Sequence, residues 1–299
     1  MNPKIRAAAV IFLAFFASSA FAQSQSPQDA DQQIMDFSLS GFGDRGKKNW
    51  DLSGKSADIV TDDVKLNDVV GNMYGDKENI KLTADKGNFN KADGKVHLEK
   101  NVLITTSGGA KLTTDSLNWD RKNQLVSTSD KVNIERDNMI AQALGAVGHP
   151  NLNKVSLEKD VEVKINPVAE DKLNKAGVNR KIVITCDGPM EIDYQRNIAT
   201  FNKTVKVDTE DATIYSDVME VYFTKSAEKP DKPKSSAAAA MGMGTQVDKI
   251  KAFGNVTIIR GDNVSQSDEA VYTASDGKIT LSGKPKLVIY SGQGKEQHF

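Results

Sequence analysis

Gly94-Lys95-Val96-His97-Leu98-Glu99-Lys100-Asn101-Val102-Leu103-Ile104 holds two alternating apolar runs, Val96/Leu98 and Val102/Ile104, parted by a polar step. Alternation at a period of two is the mark of a strand with one buried face. The same figure returns along the chain: Val126 with Val132 and Ile134, then Val155 and Leu157 with Val161 and Val163. It continues as Ala199 and Phe201 with Val205 and Val207, Ile250 and Ala252 with Val256 and Ile258, and Ile279 and Leu281 with Leu287 and Ile289. Val96, Val126, Val155, Ala199, Ile250 and Ile279 are equivalent positions, separated by 30, 29, 44, 51 and 29 residues. The two long steps contain insertions. Asn166 to Lys181 is polar, and Lys225 to Val247 is rich in Pro, Ala, Ser and Gly, a composition that buries too little apolar area to offset its ordering entropy. Without them the period is restored, and the unit is a pair of short strands about thirty residues long.

Side chains alternate between the faces of a strand, so Val102 and Ile104 share a face, as do Val132 and Ile134, Val161 and Val163, and Val205 and Val207. Stacking the units aligns these with Val256, Ile258, Leu287 and Ile289 in one apolar face, with Lys, Asp, Glu and Thr on the other. A sheet with one apolar side must fold over on itself or meet a second sheet. Aromatic residues make up only 6% of the chain, so the enclosed space reads as a narrow slot lined by aliphatic groups. Helical periodicity is absent, and short helices are expected at most in the first mature residues and in the Ala-rich insertion near 240.

The N-terminus sets the compartment. Lys4 and Arg6 precede an apolar run from Ala7 that ends in Ala20-Phe21-Ala22, the pattern of a secretory signal peptide cleaved after Ala22. The run is shorter than the roughly 20 apolar residues of a spanning helix. Charge is nearly balanced, with 39 basic and 40 acidic residues, which gives no footprint for nucleic acid and no polybasic patch for an anionic membrane. Cys186 is the single cysteine, so no intrachain disulfide is available. It reads as a small apolar residue in a strand.

The residues offer little for catalysis. His97, His149 and His298 stand at no metal-ligand spacing, and Cys186 has no histidine nearby. His97 lies mid-strand on the polar face, as a solvated histidine. Asp85, Asp115 and Asp268 recur with the repeat, but the glycine-rich nonapeptide of calcium-binding β-rolls is missing. They read as strand-end aspartates bonding their own backbone. No P-loop, dinucleotide or nucleophile-elbow motif occurs. The chain is therefore read as no enzyme, with no cofactor, no metal and no nucleic-acid partner.

Beyond pattern, Ala252-Phe253-Gly254-Asn255-Val256-Thr257-Ile258, and Asp268-Glu269-Ala270-Val271-Tyr272 ahead of Asp276-Gly277, carry a resemblance: the chain is similar to the OstA-like family of lipopolysaccharide-transport proteins. Ala252-Phe253-Gly254-Asn255-Val256-Thr257-Ile258 matches the core of an LptA-type unit. Asp268-Glu269-Ala270-Val271-Tyr272 with Asp276-Gly277-Lys278-Ile279-Thr280-Leu281-Ser282-Gly283-Lys284-Pro285 matches another. Trp50-Asp51-Leu52, Leu82-Thr83-Ala84-Asp85 and Leu112-Thr113-Thr114-Asp115 through Trp119-Asp120 are similar to the LptC type. The resemblance implies an all-β, repetitive antiparallel β-jellyroll, a folded-over "taco" open at both ends. Its implied organisation is a signal peptide at 1–22, a flexible segment at 23–44, an LptC-like jellyroll at 45–165, a linker at 166–181, and an LptA-like jellyroll at 182–292 carrying the 225–247 insertion. The implied function is periplasmic: lipid A acyl chains of lipopolysaccharide ride in the slot, against the inward candidates Val102, Ile104, Val132, Ile134, Val161, Val163, Val205, Val207, Val256, Ile258, Leu287 and Ile289. Implied partners are other jellyrolls joined by edge-strand pairing, the inner-membrane ABC transporter complex and the outer-membrane translocon. The other reading of the residues is a structural, adhesin-like β-repeat scaffold with no lipid ligand.

Overall fold

The computed structural model describes residues 32–42, 46–74, 79–120, 122–123, 125–136, 139–149, 154–166, 181–224 and 247–289. The signal sequence, residues 167–180 and the Ala-rich insertion lie outside the described residues. The described residues form strands β1 (Gln32–Phe42), β2 (Lys48–Val60), β3 (Asp63–Tyr74), β4 (Asn79–Asn90), β5 (Lys95–Thr106) and β6 (Lys111–Asp120). They continue as β7 (Leu125–Arg136), β8 (Met139–His149), β9 (Lys154–Ile165), β10 (Ile182–Cys186), β11 (Met190–Asp193) and β12 (Ile198–Asp208). The last are β13 (Thr213–Phe223), β14 (Val247–Arg260), β15 (Asn263–Thr273), β16 (Lys278–Ser282) and β17 (Lys286–Val288).

All seventeen belong to one sheet with antiparallel pairing. β10 and β11 share one row, since both pair with β9 on one side and β12 on the other. Likewise β16 and β17 both pair with β15. At about 4.8 Å per row the ladder extends roughly 70 Å. The all-β, antiparallel, folded sheet agrees with the jellyroll read from sequence. One difference is at the start: residues 32–42, where a flexible segment or short helix was expected, form β1 and pair with β2 from Gln32↔Ile59 to Phe42↔Lys48.

A second difference concerns strand length. The repeat unit is a pair of long strands, not short ones: Val96/Leu98 and Val102/Ile104 lie on the single twelve-residue strand β5. The polar step between them is a β-bulge. Glu99 pairs with Ser116 and Val102 with Thr114, so Lys100 and Asn101 together face Asp115 alone. Both adopt left-handed backbone, with φ of 65° and 53°. An extra residue bends a strand sharply; Leu98 and Val102, four apart, both point inward, and opposite them Leu117 and Thr114 of β6 do so although only three apart. The same shift puts Ser129 and Asp130 of β7 opposite Gly145, Lys203 and Thr204 of β12 opposite Asp217, and Gly254 and Asn255 of β14 opposite Asp268. Stacked bulges crease the sheet along one line, and the two wings close on the apolar side.

Burial is deepest at the crease. Leu98, Val102, Val132, Leu157, Val161, Phe201, Val205, Ala252 and Val256 flank the bend and are buried. Each large aliphatic group there contributes about 1.5–3 kcal/mol through burial. Phe201→Ala is expected to cost about 3–5 kcal/mol, whereas Tyr215→Ala on the outer face stays within about 0.5 kcal/mol; denaturant unfolding of both variants checks the contrast. At the crease itself Gly254 has φ of 72°, and a Cβ there would run into the Asp217 carboxylate. Gly254→Val should therefore lose roughly 1–3 kcal/mol in the same measurement.

Candidate functional site: a creased apolar slot

The inner surface has two rows on each wing. A deep row touches the crease, and a rim row lies two residues further out. On β5 the deep residues are Leu98 and Val102 and the rim residues Val96 and Ile104; on β14 they are Ala252 and Val256, then Ile250 and Ile258. The structure places ten of the twelve candidates on this surface. Val102, Val132, Val161, Val205 and Val256 occupy the deep row and are buried. Val163 and Val207 sit buried in the rim row, where Ile104, Ile134 and Ile258 are partly exposed. Leu287 and Ile289 are not enclosed. They are 62% and 67% exposed, because β17 is a three-residue edge strand with only β15 beside it among the described residues.

The slot also takes residues that the alternation does not single out. The strands between the bulged ones contribute Ala84 and Gly87 on β4, Thr114 and Leu117 on β6, and Ser216 and Met219 on β13 to the deep row. On these strands the inward pair spans the bend without alternating, which masks it. The Ala84-Asp85 step was the available signal, with small Ala84 turned in and Asp85 turned out. Thr114 and Thr128 form a buried polar step, their hydroxyl oxygens 3.4 Å apart.

Of the recurring aspartates, Asp85 needs correction. Asp85 does not bond its own backbone; its Oδ2 accepts from Asn101 Nδ2 of the bulge on β5 at 2.7 Å. Asp217, which was not singled out, accepts from Asn255 Nδ2 at 2.9 Å, and Asp187 accepts from the Thr204 hydroxyl at 2.7 Å. These bonds staple the outside of the crease, so the carboxylates hold the bend and turn away from the slot. Among the described residues no group of His, Cys, Asp and Glu could hold a metal ion. His97 Nδ1 lies 2.8 Å from Asn118 Oδ1 on the next strand, and Cys186 is buried in the core, where desolvation pushes its thiol pKa up.

Near the N-terminal edge, Asp51 of the Trp50-Asp51-Leu52 motif ties β2 to β3. It accepts from Asn72 Nδ2 and the Tyr74 hydroxyl, each at 2.7 Å, and pairs with Lys48 Nζ at 2.8 Å. The hydrogen bond from Asn72, with those from Lys48 and Tyr74, lowers its pKa from the ordinary carboxylate range to about 2.

Two family models match the chain. The model described as lipopolysaccharide assembly, LptC-related, covers residues 5–166. The model described as LptA/(LptD N-terminal domain) LPS transport protein covers residues 188–298. No curated protein sequence matches the chain. The two matches divide the sheet between β9 and β11, and β10 lies in the interval.

A folded-state pKa below the unfolded one stabilises above the unfolded value and loses that contribution as pH falls through the folded value. The stabilisation of β2–β3 by Asp51 should thus be complete above about pH 5 and vanish between about pH 4 and 2. Asp51→Asn should remove this acid dependence, seen as amide exchange of β2 and β3 that no longer quickens in that window. Retention of the full acid dependence in Asp51→Asn would assign it to other groups.

Proposed function

The chain belongs to the LptC-related lipopolysaccharide-assembly family, and from that premise we propose that its slot shields the acyl chains of lipid A while the sheet bridges inner and outer membranes. The family role is lipopolysaccharide transport, in company with lipopolysaccharide and other proteins of the same system in the cell envelope. The observation that supports the finer reading is the partly exposed aliphatic rim, with Leu82, Ile104, Ile250 and Ile258 facing inward above a buried deep row. Exposing acyl chains to water costs about 0.8 kcal/mol per CH₂, so several chains in transit need continuous apolar cover. A slot open along one side gives that cover and leaves sugars and phosphates in solvent. The work is done by burial and needs no covalent step.

The bridging part rests on the sheet ends. Among the described residues β1 pairs only with β2, and β16 and β17 pair only with β15. Ile34, Leu39 and Phe42 stand exposed at one end and Ile279, Leu287 and Val288 at the other. Unpaired edges bearing apolar side chains are templates for another strand. We assign the ends to jellyrolls of the same transport system, with the inner-membrane ABC transporter complex and the outer-membrane translocon as the terminal partners and the periplasm as the compartment.

A photo-crosslinking residue at Ile104 or Ile258 should capture lipopolysaccharide in cells during active transport, and one at outward-facing Thr257 should not. Folded protein that yields no adduct at either inward position would refute lipid shielding. Adducts at Thr257 equal to those at Ile258 would place the lipid outside the slot.

A further inference from the structure

The rim is not equally open along the ladder. Over β4–β7 the rim residues Leu82, Val96, Ile104, Leu112, Val126 and Ile134 are partly exposed. Over β14–β15 Ile250, Ile258 and Tyr272 are partly exposed as well. Between them the rim is largely shut: Val163 and Ala199 are fully buried and Ile184, Val207 and Val221 are 7% exposed, with Val155, Ile192 and Ile214 partly exposed. Positions still further from the crease, Met139 on β8, Ile165 on β9 and Phe223 on β13, are buried too.

The deep row contributes to this. At β4 it holds Ala84 and Gly87, and at β15 Ser267 and Ala270, small groups over which the wings need not meet, although Leu98 and Leu117 between β4 and β7 are bulky. At β9–β13 it holds Leu157, Met190, Phe201 and Met219, all buried. Bulky groups fill the bottom of the slot there, and the wings pack on them in one buried cluster. The shut stretch coincides with the junction between the two family matches.

Resting on the shielding function proposed above, we infer that the slot takes acyl chains at two separate compartments, over β4–β7 and over β14–β15, divided by a packed neck at β8–β13. Each compartment is an acyl-binding site in its own right. Passage between them requires the wings to part at the neck, so the resting protein holds lipid on either side of the junction and not across it.

The test uses the full-length protein and a lipid A analogue carrying a diazirine in one acyl chain, with labelled peptides mapped after irradiation. Labelling is expected at β4–β7 and β14–β15, with β9–β12 at least tenfold lower. Ile258→Trp, a bulky group at a partly exposed rim position, should abolish labelling at β14–β15 and leave that at β4–β7 within twofold, with the fold checked by circular dichroism. Labelling around Val163 and Val207 within twofold of the compartments would overturn the neck and leave lipid shielding intact. Simultaneous loss from both compartments in Ile258→Trp, with the fold retained, would also overturn it. No labelling anywhere on folded protein would refute acyl binding itself, and the two compartments with it.

Discussion

The mid-strand bulge is the constraint on which the molecule depends. A flat antiparallel sheet of long strands with one apolar face would leave that face in water. One extra residue on alternate strands, at Lys100–Asn101, Ser129–Asp130, Lys203–Thr204 and Gly254–Asn255, creases the ladder along a single line. The crease turns one sheet into two facing wings without any strand leaving its neighbours. Backbone pairing is kept on both sides of the bend, and apolar burial is gained between them. The left-handed backbone at the bulge is costly for most residues; Asn101, Gly254 and Asn255 are residue types that tolerate it, while Lys100, Lys203 and Thr204 adopt it against their preference.

The outer side of the crease explains where the polar residues went. Asp85, Asp187 and Asp217 each accept from the bulge of the next strand, so charge is used to hold geometry on the convex side. The concave side is left mainly to hydrocarbon, with Thr114, Thr128, Ser216 and Ser267 as its buried polar members. This division lets one strand sequence serve two tasks, since the same residues that bend the strand supply the staple. Burial is deepest beside the staple, and over β4–β7 and β14–β15 the rim further out is more open.

The repeat, its two insertions and the pairing of apolar positions were legible because a period of two and a period of thirty survive in single residues such as Val102, Ile104, Val132 and Ile134. The bend was not legible as a bend. A bulge reads as a short polar gap, so β5 looked like two short strands, and its intervening partners β4 and β6 hid Gly87 and Leu117 from any alternation count. The exposure of Leu287 and Ile289 was equally hidden, because a pattern of side chains does not say whether a facing wing exists at the end of a ladder. The shut rim at Val163 and Ala199 depends on the size of Phe201 and Met190 acting through packing, which alternation does not encode.

Leu103 and Ile104 are adjacent on β5 and face opposite sides of one wing. Methyl NMR of the full-length protein with lipid A bearing a spin label at an acyl terminus therefore measures the central claim on neighbouring residues. The account predicts strong broadening of the Ile104 methyl resonances with those of Leu103 retained. Broadening of Leu103 equal to or greater than that of Ile104 would contradict it, for the lipid would then lie outside the folded sheet.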